Sequence, residues 1–289
     1  MRDELKVGAY AFVGSADPDR NLAAMVRGLQ QAVRNNVRLV LFPECALTGH
    51  APTDFADPRQ LGEARIAAVT KAFCRCVRDA GCWAVTGTTT RVASHTFNSL
   101  ILVGPDGRVR GRYHKRILFA TEAGRYDPGT GDRLFLVDGW RLLPRICYEF
   151  RFPELFRPIL SRHADAVLIA FSMVGRDAAK LAVATAILQA RASENSVYIL
   201  TANNLHGMQN APTAFIDPDG HVVARASSQR EGLVSGVIKR ARSELSSQII
   251  KSVQRYMRGR RQGEPRIRIR SSRPGTATSG SVKLTVCKG

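Results

Sequence analysis

Apolar positions along this chain follow two rhythms, and the switches between them mark out the elements. Leu5-Lys-Val-Gly-Ala-Tyr-Ala-Phe-Val13 reads as a strand, and Val37-Arg-Leu-Val-Leu-Phe42 is almost wholly apolar, as expected of a strand covered on both faces. Between them Ser15-Ala-Asp-Pro-Asp19 punctuates, and Leu22, Met25, Val26, Leu29 and Val33 recur at helical spacing over 21–34. A loop rich in Gly, Pro and Asp (48–58) precedes a second amphipathic helix, 61–79. Strand-like segments follow at 83–91, 97–103 and 108–113, the last two joined by Gly104-Pro-Asp-Gly107. In that turn Pro fixes φ, Asp bonds the backbone and Gly takes positive φ. The same device returns in Asp217-Pro-Asp-Gly220, between strands 213–216 and 221–226. Between these hairpins lie a strand ending at Cys147, a helical stretch at 153–162, a strand at 166–171, a helix at 178–194 and a strand at 197–202. A strand at 232–238 closes the regular part. Strand–helix–strand units mixed with hairpins, with no internal repeat, predict one α/β domain over residues 1–240, its helices packed outside mixed sheets.

Charge separates the remainder from this body. The chain of 289 residues carries a formal net charge of +19. Residues 241–289 hold twelve Lys or Arg against two Glu, a local balance of +10, which leaves +9 for the first 240. This segment is expected to be a basic extension, partly helical or disordered, with Leu245, Ile249, Ile250, Val253 and Met257 at the spacing of one amphipathic helix over 243–258. Its only aromatic residue is Tyr256, which weakens a nucleic-acid reading of the basic run. No apolar run approaches the roughly 18–20 residues of a membrane helix. The N-terminus mixes charges with no long apolar segment behind it, so no secretory signal is expected and the cytoplasm is the expected location. The six cysteines are then expected to be free thiols. Cys74-Arg-Cys76 with Cys82 lacks the companion His or Cys cluster of a metal site, and neither metal nor organic cofactor is expected.

Three reactive side chains sit at comparable element ends. Glu44 follows Val37–Pro43, Lys115 follows Gly111-Arg-Tyr-His114, and Cys147 follows Trp140–Ile146. Alone, each has an ordinary reading: a turn or cap, a surface lysine, a small core residue. Together, a carboxylate, an ammonium and a thiol delivered by strand ends are what an α/β enzyme needs for nucleophilic catalysis.

Leu41-Phe-Pro-Glu44, Tyr113-His-Lys115 and Ile146-Cys-Tyr-Glu-Phe-Arg-Phe-Pro-Glu154 resemble the three signatures of the nitrilase-type carbon–nitrogen hydrolases. Phe97-Asn-Ser99, Gln189–Asn195 and Asp217–Gly220 look like further motifs of that family in its order, over roughly 5–238. The resemblance implies a four-layer α-β-β-α sandwich, commonly paired into homodimers or larger homo-oligomers. It implies hydrolysis of a small amide or N-carbamoyl compound through a Cys147 thioester, with Glu44 as proton carrier and Lys115 favouring the thiolate and the oxyanion. Glu122 matches the family's second acidic residue, with a role in orienting Lys115 and the substrate amine. The backbone N–H of Tyr148 is the natural second oxyanion donor. Phe171 and Met173 suggest a partly apolar pocket wall, and Arg176 is either a partner for an acidic substrate group or a solvated loop residue. Arg191, Glu194 and Asn195 are read as buried polar contacts that hold the sheets. Many relatives carry a tryptophan after the 166–171 strand, whereas Ser172–Leu181 has none, so no relative's substrate transfers directly. Nitrile hydrolysis, acyl transfer to an amine, and a non-catalytic relative whose basic tail binds nucleic acid or anionic surfaces are the alternatives.

Overall fold

A computed structural model describes residues 3–259. In chain order the first half comprises β1 (Glu4–Ala11), α1 (Pro18–Arg34), β2 (Leu39–Leu41), α2 (Glu63–Ala80), β3 (Trp83–Val92), β4 (His95–Val103) and β5 (Val109–His114). The second comprises β6 (Phe135–Val137), β7 (Trp140–Ile146), α3 (Pro158–Arg162), β8 (Ala166–Phe171), α4 (Ala178–Asn195), β9 (Tyr198–Asn203), β10 (Ala214–Ile216), β11 (Val222–Arg225), β12 (Gly232–Lys239) and α5 (Glu244–Gly259). They build two six-stranded sheets, ordered β12-β1-β2-β3-β4-β5 and β11-β10-β9-β8-β7-β6. Both are mixed: β1, β2 and β3 run parallel, as do β7, β8 and β9, and hairpins complete the edges.

Side-chain alternation creates the layers. Val7, Ala9, Leu39 and Leu41 face Leu142, Ile146, Leu168 and Leu200 across the space between the sheets. Their neighbours Tyr10, Phe12, Val40 and Phe42 pack outward under α1 and α2 through Met25, Leu29 and Phe73. In the second sheet Val167, Ile169 and Phe171 point outward to Ala184, Leu188 and Ala192 of α4. The result is the α-β-β-α sandwich that the sequence predicts. Helix starts are fixed locally: the Asp17 carboxylate accepts from Asp19 N–H at 2.9 Å, with Pro18 in the first turn, and Asp177 accepts from Lys180 N–H at 3.0 Å.

The segment beyond residue 240 begins anchored to this body. The Arg240 guanidinium lies 4.2 Å from the Trp140 ring centroid, Arg242 donates to Ser196 O, and the Ser243 and Ser246 hydroxyls donate to Asp219 at 2.7 and 2.8 Å. The amphipathic helix expected there is present as α5. The rest of the basic stretch, with Cys287, lies outside the described residues. Among the described residues no helix is long and apolar enough to cross a membrane.

Candidate active site

The strand ends that carry Glu44, Lys115 and Cys147 meet at one edge of the inter-sheet space. Glu44 leaves β2 on a backbone path pressed against β3. Gly87 N–H donates to Pro43 O at 3.1 Å, Leu47 N–H donates to Gly87 O at 3.0 Å, and a Cβ on Gly87 would stand 2.2 Å from Cys45 N. Only glycine fits there. Glu44 N–H also donates to Phe171 O at 3.3 Å, which ties this loop to the opposite sheet. Lys115 follows β5; its N–H donates to Asn98 O at 2.8 Å and its carbonyl accepts from Gly129 N–H at 2.7 Å. Cys147 stands between β7 and a tight 3-10 turn, Cys147–Arg151, with φ of 45°. That left-handed conformation costs a non-glycine residue about 1–2 kcal/mol, so the surroundings must impose it. Glu149 does so: its carboxylate accepts from Ile146 N–H at 2.7 Å, Arg116 N–H at 2.6 Å and the Tyr113 hydroxyl at 2.7 Å. The Cys147 turn and the lysine segment are thereby bolted to one buried group. Arg191 of α4 holds the same turn from the other side, donating to Phe150 O at 3.3 Å and Arg151 O at 3.1 Å while paired with Glu194 at 3.0 Å.

At the centre, the Lys115 ammonium lies 2.7 Å from Glu44 Oε1 and 2.7 Å from Glu122 Oε2. All three are buried. Asn98 spans the two carboxylates, its Nδ2 donating to Glu44 Oε1 at 2.8 Å and Glu122 Oε1 at 2.9 Å. Glu122 Oε2 also accepts from Phe119 N–H at 2.7 Å, while Glu44 Oε2 accepts from Ser172 N–H at 2.8 Å. His50 Nε2 stands 3.4 Å from Glu122 Oε1.

These contacts give the carboxylates different chemistry. Burial would raise the pKa of Glu122, but the His50 hydrogen bond and the Lys115 charge outweigh it and hold the group at about 2. Both its oxygens are filled by donors, so it is a fixed anion. Glu44 Oε2 accepts from one donor, the Ser172 N–H, and so keeps an open lone pair. Burial alone would discharge Lys115, yet the Glu44 and Glu122 carboxylates raise its pKa and keep it an ammonium. Burial and then Glu44 push the Cys147 thiol well up, against smaller opposing effects of Lys115 and the Ser172 N–H. Burial thus works against the Cys147 thiolate, and Lys115 opposes that effect only in part.

A cavity of about 440 Å³ opens on Cys147, Glu44, Lys115 and Glu122. Tyr148, Met173, Phe119 and Val174 supply its apolar wall, with Arg151 and Lys180 as outer cations. Phe171 does not line it. Alternation along β8 turns that ring outward against Phe150, with centroids 5.3 Å apart, and the cavity instead receives Ser172 and Met173. Arg176 is exposed and outside the lining. The Ser172 hydroxyl is buried with no hydrogen-bond partner among the described residues. His50, Asn98 and Ser172 were not read as site residues from sequence. The only signals were a buried-strand amide that must find partners and a histidine six residues after Glu44. Donor atoms of Glu44, His50 and Glu122 gather within 4.8 Å, but Lys115 already bonds both carboxylates, and a metal would have to displace it.

The chain is 28% identical to a nitrilase of Pyrococcus abyssi over 221 residues, covering 74% of this chain and 82% of that protein. It is 31% identical to the omega-amidase YafV of Escherichia coli K12 over 144 residues, 47% of this chain and 54% of that one. A mutant of the amidase from Nesterenkonia sp. AN1, in a structure showing covalent addition of the acetamide moiety of fluoroacetamide at the active site cysteine, superposes with a TM-score of 0.76. That match has 20% identity and covers 90% of this chain and 98% of the other. Residues 7–246 match the carbon–nitrogen hydrolases, and the chain belongs to that family.

Proposed function

We propose that this enzyme hydrolyses the terminal C–N bond of a small amide or N-carbamoyl compound through a thioester on Cys147. The observation that carries the reading is the shared position of Glu44, Lys115 and Cys147 around one cavity, with Glu44 the carboxylate that retains an open lone pair. Glu44 takes the thiol proton as sulfur attacks the carbonyl carbon. Two of the three Lys115 ammonium hydrogens serve Glu44 and Glu122, and the third faces the developing oxyanion. The Tyr148 N–H lies in the first turn of the 147–151 segment, where the helix supplies no acceptor, and serves as the second oxyanion donor. Collapse of the tetrahedral intermediate passes the proton from Glu44 to the departing nitrogen. Water then loses a proton to Glu44, attacks the thioester, and releases the acid and the thiol.

Arg151 and Lys180 line the cavity on its exposed side, which favours a substrate whose far end is anionic. Half-amides of short diacids and N-carbamoyl amino acids share that chemistry, and the first agrees with the relatives named omega-amidases. The test is ammonia release from neutral amides, half-amides, N-carbamoyl amino acids and nitriles by wild type and Cys147→Ala. The reading expects turnover of an anionic amide or carbamoyl compound, and none in the variant. Equal turnover by Cys147→Ala refutes it.

A further inference from the structure

A second cavity, of about 480 Å³, shares no lining residue with the one at Cys147. It lies where both sheets end, between β5, the edge strand of the first, and the 130–133 stretch that leads into β6, the edge strand of the second. Alternation along Val109-Arg-Gly-Arg-Tyr-His114 decides which side chains reach it. Gly111 and Tyr113 turn toward the second sheet: a Cβ on Gly111 would stand 2.9 Å from the Phe135 ring, and Tyr113 is buried with its hydroxyl on Glu149. Arg110, Arg112 and His114 take the opposite face and line the cavity with Thr130, Gly131 and Arg133. The acids nearest in sequence are already engaged. Asp132 is bound to Arg116 and Arg145, both at 3.0 Å, and Asp106 pairs with Arg110. Among the described residues no carboxylate lines the cavity. Arg112 and Arg133 are exposed, and neither has a hydrogen bond or ion pair among the described residues. Burial and then the Arg112 and Arg133 charges push the pKa of His114 down, so guanidiniums from two separate segments act on one imidazole.

We propose that this cavity binds a small oligophosphate or phosphate ester, held between Arg112 and Arg133 with Arg110 beside them. The inference is independent of the chemistry at Cys147. A guanidinium can bond two phosphate oxygens at once, and three of them around one concavity suit an anion with several negative charges. With 43 Lys and Arg against 24 acids, unpaired arginines are expected somewhere on this surface. These two converge on a cavity from different segments, while Asp132, the acid next to Arg133, is turned away to other partners. Arginines on an edge strand also discourage strand pairing, which accounts for Arg110 and Arg112. It does not account for Arg133, which comes from a connecting segment. The basic stretch beyond residue 240 is not a suitable occupant, since its twelve Lys or Arg against two Glu would be repelled.

The experiment titrates inorganic tripolyphosphate into the full chain by calorimetry at about 0.15 M ionic strength, where long-range attraction is screened. Wild type is expected to bind one equivalent saturably. Arg112→Gln/Arg133→Gln is expected to lose at least about tenfold in affinity, the effect of removing one charge-assisted hydrogen bond. Two controls remove the same charge elsewhere. Arg20→Gln/Arg34→Gln changes exposed positions on α1, which packs over β1, β2 and β12, and Arg151→Gln/Lys180→Gln changes the Cys147 cavity. Both are expected to bind as wild type does. Should the double variant fail to fold, Arg133→Gln alone, on the connecting segment, is expected to weaken binding in the same direction. Equal losses in all three pairs would reduce the effect to net charge and overturn the proposal, as would the absence of saturable binding in wild type. Tighter binding of a hexaglutamate peptide or a single-stranded oligonucleotide, lost in Arg112→Gln/Arg133→Gln, would give the cavity to an extended acidic chain and overturn it as well.

Discussion

Replacing Glu149 with glutamine tests how the nucleophile is held. The side chain is completely buried, and each carboxylate oxygen meets a fixed backbone donor: Arg116 N–H at Oε1 and Ile146 N–H at Oε2. An amide NH₂ turned either way must oppose one of them, and turned toward Arg116 it also opposes the Tyr113 hydroxyl. A hydrogen bond to a charged acceptor contributes about 1.5–3 kcal/mol, and a buried donor left unmatched costs about 1–3 more. Burial also pushes the pKa of Glu149 up, against Arg145 and its donors, so part of that gain offsets the cost of burying the charge. A net loss of about 2–4 kcal/mol is expected in Glu149→Gln by denaturant unfolding, without change in the m-value. Ile146 directly precedes Cys147, so the turn at φ of 45° should relax. Displacing an attacking atom by about 1 Å costs on the order of 10²-fold in kcat, with KM little changed. A variant with wild-type unfolding midpoint and wild-type kcat would show that Glu149 neither holds the turn nor aligns the thiol.

Two further predictions use the same geometry. Glu122 has its pKa depressed from about 4.5 to about 2 by folding, so it stabilises the native state above the unfolded value, and that stabilisation disappears as pH falls through about 2. Glu122→Gln should therefore be less stable at pH 7 by on the order of 3 kcal/mol, with the gap narrowing below about 4.5; a gap independent of pH from 7 to 2.5 contradicts the assignment. In Gly87→Ala the added methyl would lie 2.2 Å from Cys45 N and 2.5 Å from Pro43 O, both backbone atoms that cannot swing aside. A loss of about 2–4 kcal/mol is expected, together with reduced kcat as Glu44 shifts; unchanged melting and turnover would contradict the close approach.

The layers and the reactive strand ends were legible because both follow simple periods. Alternation at Val7–Phe12 and Leu39–Phe42 has one reading once both faces are apolar, and Pro-Asp-Gly forces the two hairpins. Strand β6 was missed although Asp138-Gly139 turns it with positive φ at both residues, a recognisable hairpin signal, because three residues are too few to show a period. Phe171 was misread for a register reason: composition marks an apolar residue beside the site, but only pairing decides its face. The upward push on the Cys147 thiol was also beyond sequence, since it depends first on burial and then on the nearby Glu44. His50 and Asn98 act through distances across 72 and 54 residues of chain to Glu122 and Glu44, which no local pattern encodes.

The claim on which the account depends is that Cys147 carries the acyl group during turnover. Acid quenching of the enzyme with its best amide substrate, followed by proteolysis and mass measurement of the peptide containing Cys147, addresses it directly. The account predicts the acyl mass on Cys147 in wild type, at a level that rises and decays with the substrate, and no such mass in Glu44→Gln, where the thiol keeps its proton. Sustained ammonia release with Cys147 unmodified throughout, and equal release by Cys147→Ala, would contradict it.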